Sequence, residues 1–279
     1  MIRHNFEYRA PREIEEALQI LAGAGDDCAV LGGGTWLIPN MTFAAHQPGI
    51  VLDPKHLGFA SISECGGEVV VGARATYVDA MRSPIAVAHL PLLVSMARGI
   101  TGGISITGQG TIGGSACYGN PSSDVPACLV AMRARLRLRS IGGTRDLGAS
   151  DYFLGKFATA RRSDEMLVGI VFPKMTSDVR WGYYKLKFST GSWPIVTAAA
   201  MVVNDCVRVA LGAATAVPIL TEMVLPADGG GEPLAELAKS CASISADEEL
   251  VDELAGPGYR RRVAHSIVLR ALEQCRGRE

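Results

Sequence analysis

The chain has few of the features that mark the commoner functional classes. Its seven cysteines (Cys28, Cys65, Cys117, Cys128, Cys206, Cys241 and Cys275) are scattered without a C-x-x-C pair, which excludes a local zinc or iron-sulfur motif. Their odd number and dispersal suit reduced thiols that behave as small apolar side chains. The five histidines (His4, His46, His56, His89 and His265) show no metal-ligand spacing. Neither sign of charge dominates: 27 basic against 28 acidic side chains leave a net charge of -1, so no broad electrostatic footprint for nucleic acid exists. The longest strongly apolar run, Ile195 to Val203, is too short to span a bilayer, and Met1 to Phe6 lacks the apolar core of a secretory signal. A cytoplasmic chain with no membrane span and no nucleic-acid partner is expected.

Glycine is what the chain has in plenty, 32 of 279 residues or about 11%, against a usual share of about 7%. With 48% hydrophobic residues the chain can bury a core without cross-links, as one large or two to three small domains. Pro11 to Leu21 spaces Ile14, Ala17, Leu18 and Leu21 as a surface helix. Cys28 to Leu31 reads as a strand stopped by Gly32-Gly33-Gly34, with a short helical turn over Thr35 to Met41 and a second strand over Ile50 to Asp53. A second block from Pro54 carries a strand at Val69 to Val71, helices at Tyr77 to Met81 and Leu92 to Arg98, and a dense glycine stretch from Gly99 to Gly119. Asp124 to Met132 has helix-start chemistry, with Ser122 or Ser123 as N-cap. Strands follow at Arg135 to Arg139 and Met166 to Phe172. The last hundred residues read as three antiparallel strands (Trp181 to Lys187, Ile195 to Val203, Cys206 to Leu211) and two helices (Pro233 to Ala242, Gly258 to Cys275).

Two glycine clusters carry the chemistry. Leu31-Gly32-Gly33-Gly34-Thr35 leaves three successive residues without a β-carbon, so the main chain can approach a ligand and present N–H groups to a diphosphate. A tight surface turn explains the same residues equally well. The cluster lacks the lysine of an ATP-hydrolysing loop. Gly108-Gln109-Gly110-Thr111-Ile112-Gly113 formally matches G-x-G-x-x-G, yet Gly114, Gly119, Asn120 and Pro121 are expected to interrupt any helix directly after it. No acid stands about twenty residues on, so a Rossmann site is rejected. The two clusters together with the Ser122-Ser123-Asp124 helix start offer two main-chain loops and a carboxylate, enough to clamp a large dinucleotide.

At this point a resemblance becomes specific. Ala29 to Pro39, Gly110 to Ser115 and Asn120 to Leu129 resemble the FAD-binding medium subunit of molybdenum hydroxylases, the xanthine dehydrogenase and carbon monoxide dehydrogenase family. The likeness extends over nearly the whole chain, through Glu165 to Pro173, Lys185, Trp193 and Tyr259-Arg260. It implies an α+β architecture: a two-subdomain FAD-binding fold of the vanillyl-alcohol-oxidase type plus a C-terminal three-stranded antiparallel sheet with helices. The zones would be 1-53, 54-177 and 178-279.

The resemblance also implies the site. Val30, Leu31, Gly32, Gly33, Gly34, Thr35, Trp36 and Leu37 would form one loop around the diphosphate, and Thr111, Ile112, Gly113, Gly114 and Ser115 the other. Asp124 would be a polar contact, Leu167 a main-chain contact, Lys185 a lysine near the cofactor and Trp193 an aromatic approaching the flavin, with Thr101 as a further contact. Ser115 stands where the family usually has Asn, and Trp36 where a smaller polar residue is common. The absence of histidine from both loops favours non-covalent FAD. The family further implies an iron-sulfur small subunit holding 2Fe-2S clusters and a large subunit holding the molybdenum cofactor, assembled as a dimer of heterotrimers. FAD would collect electrons from the clusters and deliver them to an external acceptor. A self-contained flavin-dependent oxidase or reductase of the same superfamily is the alternative, and it would need a proton-transfer residue that no motif supplies. A flavin-free assembly protein, its glycines serving as turns, is the third.

Overall fold

The computed structural model describes residues 1–224 and 231–276. A first zone is built on a three-stranded parallel sheet in which Ile50–Leu52 lies between Glu7–Arg9 and Cys28–Val30. Helix Ile14–Ala24 turns Ala17, Leu18 and Leu21 inward, and these meet Leu52 and Met166. The predicted helix and both predicted strands are present. Glu7–Arg9 is a third strand, exposed along its length, and it carries no apolar alternation that would announce it.

The second zone is an antiparallel sheet of five strands in the order Ile62–Cys65, Glu68–Gly72, Met166–Pro173, Arg135–Ser140, Gly143–Gly148. Against it lies the largest core, which also takes in Leu92, Leu93, Met96, Ile112 and Leu129 from the helices. Helix Asp124–Ala131 is buried at every residue, and its N-cap is Ser123, whose Oγ accepts the Val125 N–H. One expectation needs correcting. A helix does follow the G-x-G-x-x-G match directly: Ile112–Tyr118, capped by Thr111 and ended by Gly119 at φ +60°. It is preceded by another helix, Gly103–Thr107, so the strand-turn-helix context of a Rossmann site is still missing.

In the third zone the three expected strands, Arg180–Lys187, Pro194–Val203 and Cys206–Gly212, are joined by a fourth, Ile219–Val224, at the sheet edge. Helices Gly231–Cys241 and Tyr259–Arg276 cover one face. The approach is close: a β-carbon on Gly182 would lie 1.9 Å from Ala271 O. No helix among the described residues is long and apolar enough to cross a membrane.

Glu165 pins the start of the central strand. Its carboxylate, 1% exposed, accepts from Arg145 at 2.6 and 2.9 Å and from the Arg162 N–H at 2.8 Å. Burial alone would raise its pKa, but these donors together hold it below the ordinary 4.5. A carboxyl with a depressed folded pKa contributes stability above the unfolded value, and that contribution is lost as pH falls through the folded one. The urea midpoint is therefore expected to be level near neutrality and to fall below about pH 4.5. Glu165→Gln should cost on the order of 1–2 kcal/mol at neutral pH and flatten the acid limb; an unchanged acid limb would contradict this role.

Candidate functional site

The two glycine loops meet main chain to main chain. Leu31 N–H donates to Leu52 O at 2.8 Å, tying the first loop to the middle strand of the parallel sheet. Gly34, at φ +71°, then turns the chain into helix Leu37–Thr42. A β-carbon on Gly33 would fall 1.8 Å from Gln109 O, and one on Gly32 2.8 Å from Thr111 Oγ1. In the second loop Gly113 rests on Ala73, whose O would be 2.4 Å from an added β-carbon. Thr111 Oγ1 accepts the Gly114 N–H at 3.0 Å, and Ile112 N–H reaches Ala75 O at 3.0 Å. Among the described residues, the N–H groups of Gly32, Gly33, Gly34, Thr35 and Gly113 find no acceptor within the protein. Unpaired N–H groups on a glycine-rich main chain suit the binding of an anion.

These loops form the wall of a cleft of about 870 Å³, ample for a dinucleotide. Of the residues expected at a site, Val30, Gly32, Gly33, Gly34, Thr35, Trp36, Leu37, Thr101, Thr111, Gly113, Gly114, Ser115, Asp124, Leu167 and Trp193 line it. Three do not. The Ile112 side chain is fully buried in the main core, and Leu31 packs with Leu37, Met41 and Val51. Lys185 stands behind the wall, its ammonium 2.8 Å from Asp124 Oδ1.

Asp124 anchors the polar floor. It is 2% exposed and accepts from both Lys185 Nζ and Tyr183 OH. Burial lowers the Lys185 pKa, with Asp124 acting against it, and burial raises that of Tyr183. Tyr77 OH shares a 2.5 Å hydrogen bond with Ser115 Oγ and is likewise pushed up by burial. Two thiols on the wall, Cys28 and Cys117, are raised by burial, Cys28 to about 11. Neither is a ready nucleophile at neutral pH.

Leu167 lies where the central sheet opens. Its strand is irregular between Leu167 and Gly169, and pairing with Glu68–Gly72 begins only at Gly169. Trp193, half exposed, ends the connection between two C-terminal strands, which is held over the cleft by Thr101 Oγ1 donating to Ser192 O at 3.2 Å.

Sequence reasoning missed several wall residues. Tyr118 stacks between Trp36 and Phe157 with centroids 4.7 and 5.1 Å away, and His46, outside both loops, packs on Trp36. Arg74 and Tyr77 also line the cleft. Tyr183 had a signal: it is two positions before Lys185 on one strand and so shares its face. The aromatic trio had none, since its members are distant in sequence.

Residues 4–175 match the family model described as FAD binding domain in molybdopterin dehydrogenase. The carbon monoxide dehydrogenase medium chain of Hydrogenophaga pseudoflava is 32% identical over 98% of this chain and 97% of that one. The nicotine 6-hydroxylase medium subunit of Paenarthrobacter nicotinovorans is 26% identical, covering 97% of each chain. Among solved structures, carbon monoxide dehydrogenase from Hydrogenophaga pseudoflava, in a form lacking the Mo-pyranopterin moiety, superimposes with a TM-score of 0.92 at 31% identity, over 100% of this chain and 99% of that one.

Proposed function

Since the chain belongs to the family of FAD binding domains in molybdopterin dehydrogenases, we propose that it takes electrons from iron-sulfur clusters of a partner subunit and passes them to an external acceptor. It is an FAD-binding medium subunit of the molybdenum hydroxylase type, and hence an oxidoreductase subunit. The proposed partners are a 2Fe-2S small subunit and a large subunit with the molybdenum cofactor, paired as a dimer of heterotrimers in the cytoplasm. The zones 1-53, 54-177 and 178-279, each centred on its own sheet, are the proposed domains.

One observation carries the reading: two glycine loops in main-chain contact line one large cleft, and five of their residues have N–H groups without an acceptor among the described residues. That arrangement fits the diphosphate of FAD, with residues 30–37 and 111–115 on its two sides. Bound non-covalently, FAD supplies a centre that exchanges electrons singly or in pairs. The protein's residues hold and orient it. Leu167 offers its main chain where the sheet is open, Asp124 keeps Lys185 against the floor, and Trp193 screens the side facing the C-terminal sheet. Burial raises the pKa values of Tyr77, Tyr183, Cys28 and Cys117, so none of the four is a ready base, which suits a chain that carries electrons rather than one that abstracts protons from a substrate.

The test is a reduction experiment on the complex purified with its partners. Equimolar FAD and bleaching of the flavin band when the iron-sulfur subunit is reduced are expected. A chain that neither contains nor takes up FAD, or a flavin that stays oxidised beside reduced clusters, would defeat the reading.

A further inference from the structure

Two arginines line the cleft, Arg74 and Arg161, and they differ in what they are bonded to. Arg161 is engaged, with Nη1 donating to Arg162 O and Glu165 O at 2.9 Å each. Arg74 is not. Its Nε is buried without a hydrogen-bond partner, and its nearest anion is Asp53, with Nη2 3.8 Å from Oδ1, beyond hydrogen-bond reach. Asp53 itself is already supplied by Tyr8 OH at 2.7 Å and the Lys55 N–H at 3.0 Å. A guanidinium carries five donors, and a buried donor left unpaired is costly. Asp53 therefore steadies the charge of Arg74 without using its fork.

The position of Arg74 says what the fork would meet. Ala73, the preceding residue, is the one on which Gly113 rests. Asp53 directly follows Leu52, whose carbonyl holds the first glycine loop through Leu31. Arg74 thus follows the residue that underlies the second loop, faces the residue after the one that holds the first, and lines the same cleft as both. A planar guanidinium matches phosphate oxygens in a way that a point charge or a neutral donor does not.

Resting on the FAD reading above, we propose that Arg74 is a specificity-determining residue that grips a phosphate oxygen on the ADP half of the cofactor. The loops hold the diphosphate with neutral N–H groups, and Arg74 adds a full positive charge whose hydrogen-bonding fork is unspent. The site then distinguishes a phosphorylated nucleotide from a bare nucleoside.

The test is calorimetric titration of the full-length chain stripped of flavin, with FAD, ADP and adenosine as ligands, for wild type, Arg74→Leu and Arg74→Lys. Arg74→Leu is expected to weaken FAD and ADP by about tenfold, a loss typical of one charge-assisted hydrogen bond, and to leave adenosine unchanged. Arg74→Lys should recover only part of the loss. The thermal midpoint of each flavin-free variant is read alongside. FAD and ADP affinities within twofold of wild type in Arg74→Leu would overturn the proposal, as would a loss for adenosine equal to that for ADP. Should wild type bind neither FAD nor ADP, the cofactor reading falls; should wild type bind both and Arg74→Leu match it, only the role of Arg74 does.

Discussion

Gly33→Ala is expected to yield protein that retains no FAD and unfolds at lower urea. The added methyl would lie 1.8 Å from Gln109 O and 2.6 Å from its carbonyl carbon. Both are main-chain atoms, so no rotamer can relieve the clash and the loops must separate. Overpacking of this kind costs about 1–3 kcal/mol, and the separation also disperses the N–H groups that would hold the diphosphate. The sequence suggests a simpler role, in which glycine leaves room for the ligand itself. The structure moves the constraint: at Gly33 the neighbour is the second loop. Gly67→Ala is the control, because a β-carbon there meets nothing within 4 Å. Equilibrium FAD titration and urea unfolding of the two variants check the claim, and wild-type FAD affinity in Gly33→Ala would show that the loops do not need their contact.

Asp124→Asn should be as damaging for a different reason. The Asp124 and Lys185 side chains are 3% and 10% exposed, and removing one partner of a buried pair leaves the other charge uncompensated, a loss of about 3–5 kcal/mol. Replacing both, as Asp124→Asn with Lys185→Met, should restore much of that stability, since no charge then remains buried. FAD content should fall in the single and the double variant alike, because both lose the polar floor. The pH dependence separates the pair from a packing effect. Burial sets the folded pKa of Lys185 below its ordinary 10.5, so the folded state holds fewer protons than the unfolded one between those two values, and stability rises with pH only across that window. Without the Asp124 charge the folded pKa drops further, the window widens downward, and Asp124→Asn should gain stability with rising pH from a lower starting point than wild type. Parallel pH profiles for the two proteins would rule out the charge pairing as the cause.

How much was legible beforehand follows the range of each signal. Helix Asp124–Ala131 could be read because its cap, acid and proline are adjacent in sequence, and strand Pro194–Val203 because its apolar run is long. Helix Ile112–Tyr118 was hidden by its own glycines, whose low helix propensity is overridden by a threonine cap and by packing against Ala73. Strand Ile219–Val224 ends in exposed Glu222, Met223 and Val224; only its pairing with Cys206–Gly212 makes it a strand. At the site the contiguous loops were readable, but side-chain direction was not. Nothing local says that Ile112 turns into the core while Thr111 and Gly113 line the cleft, or that Arg74 joins them from the turn after strand Glu68–Gly72.

The five-stranded sheet also dictates a timetable. Its middle strand, Met166–Pro173, is the last of the five in sequence, so the hairpin ending at Gly72 waits for the ribosome to deliver the strand that pairs with it. At ordinary elongation rates the interval is on the order of ten seconds. Until then the apolar edge at Val69 and Val71 is uncovered, and Leu167, which lines the cleft, has not been made. A cleft lined by both Leu167 and Trp193 is therefore complete only after most of the chain has been made, which puts cofactor loading late in synthesis.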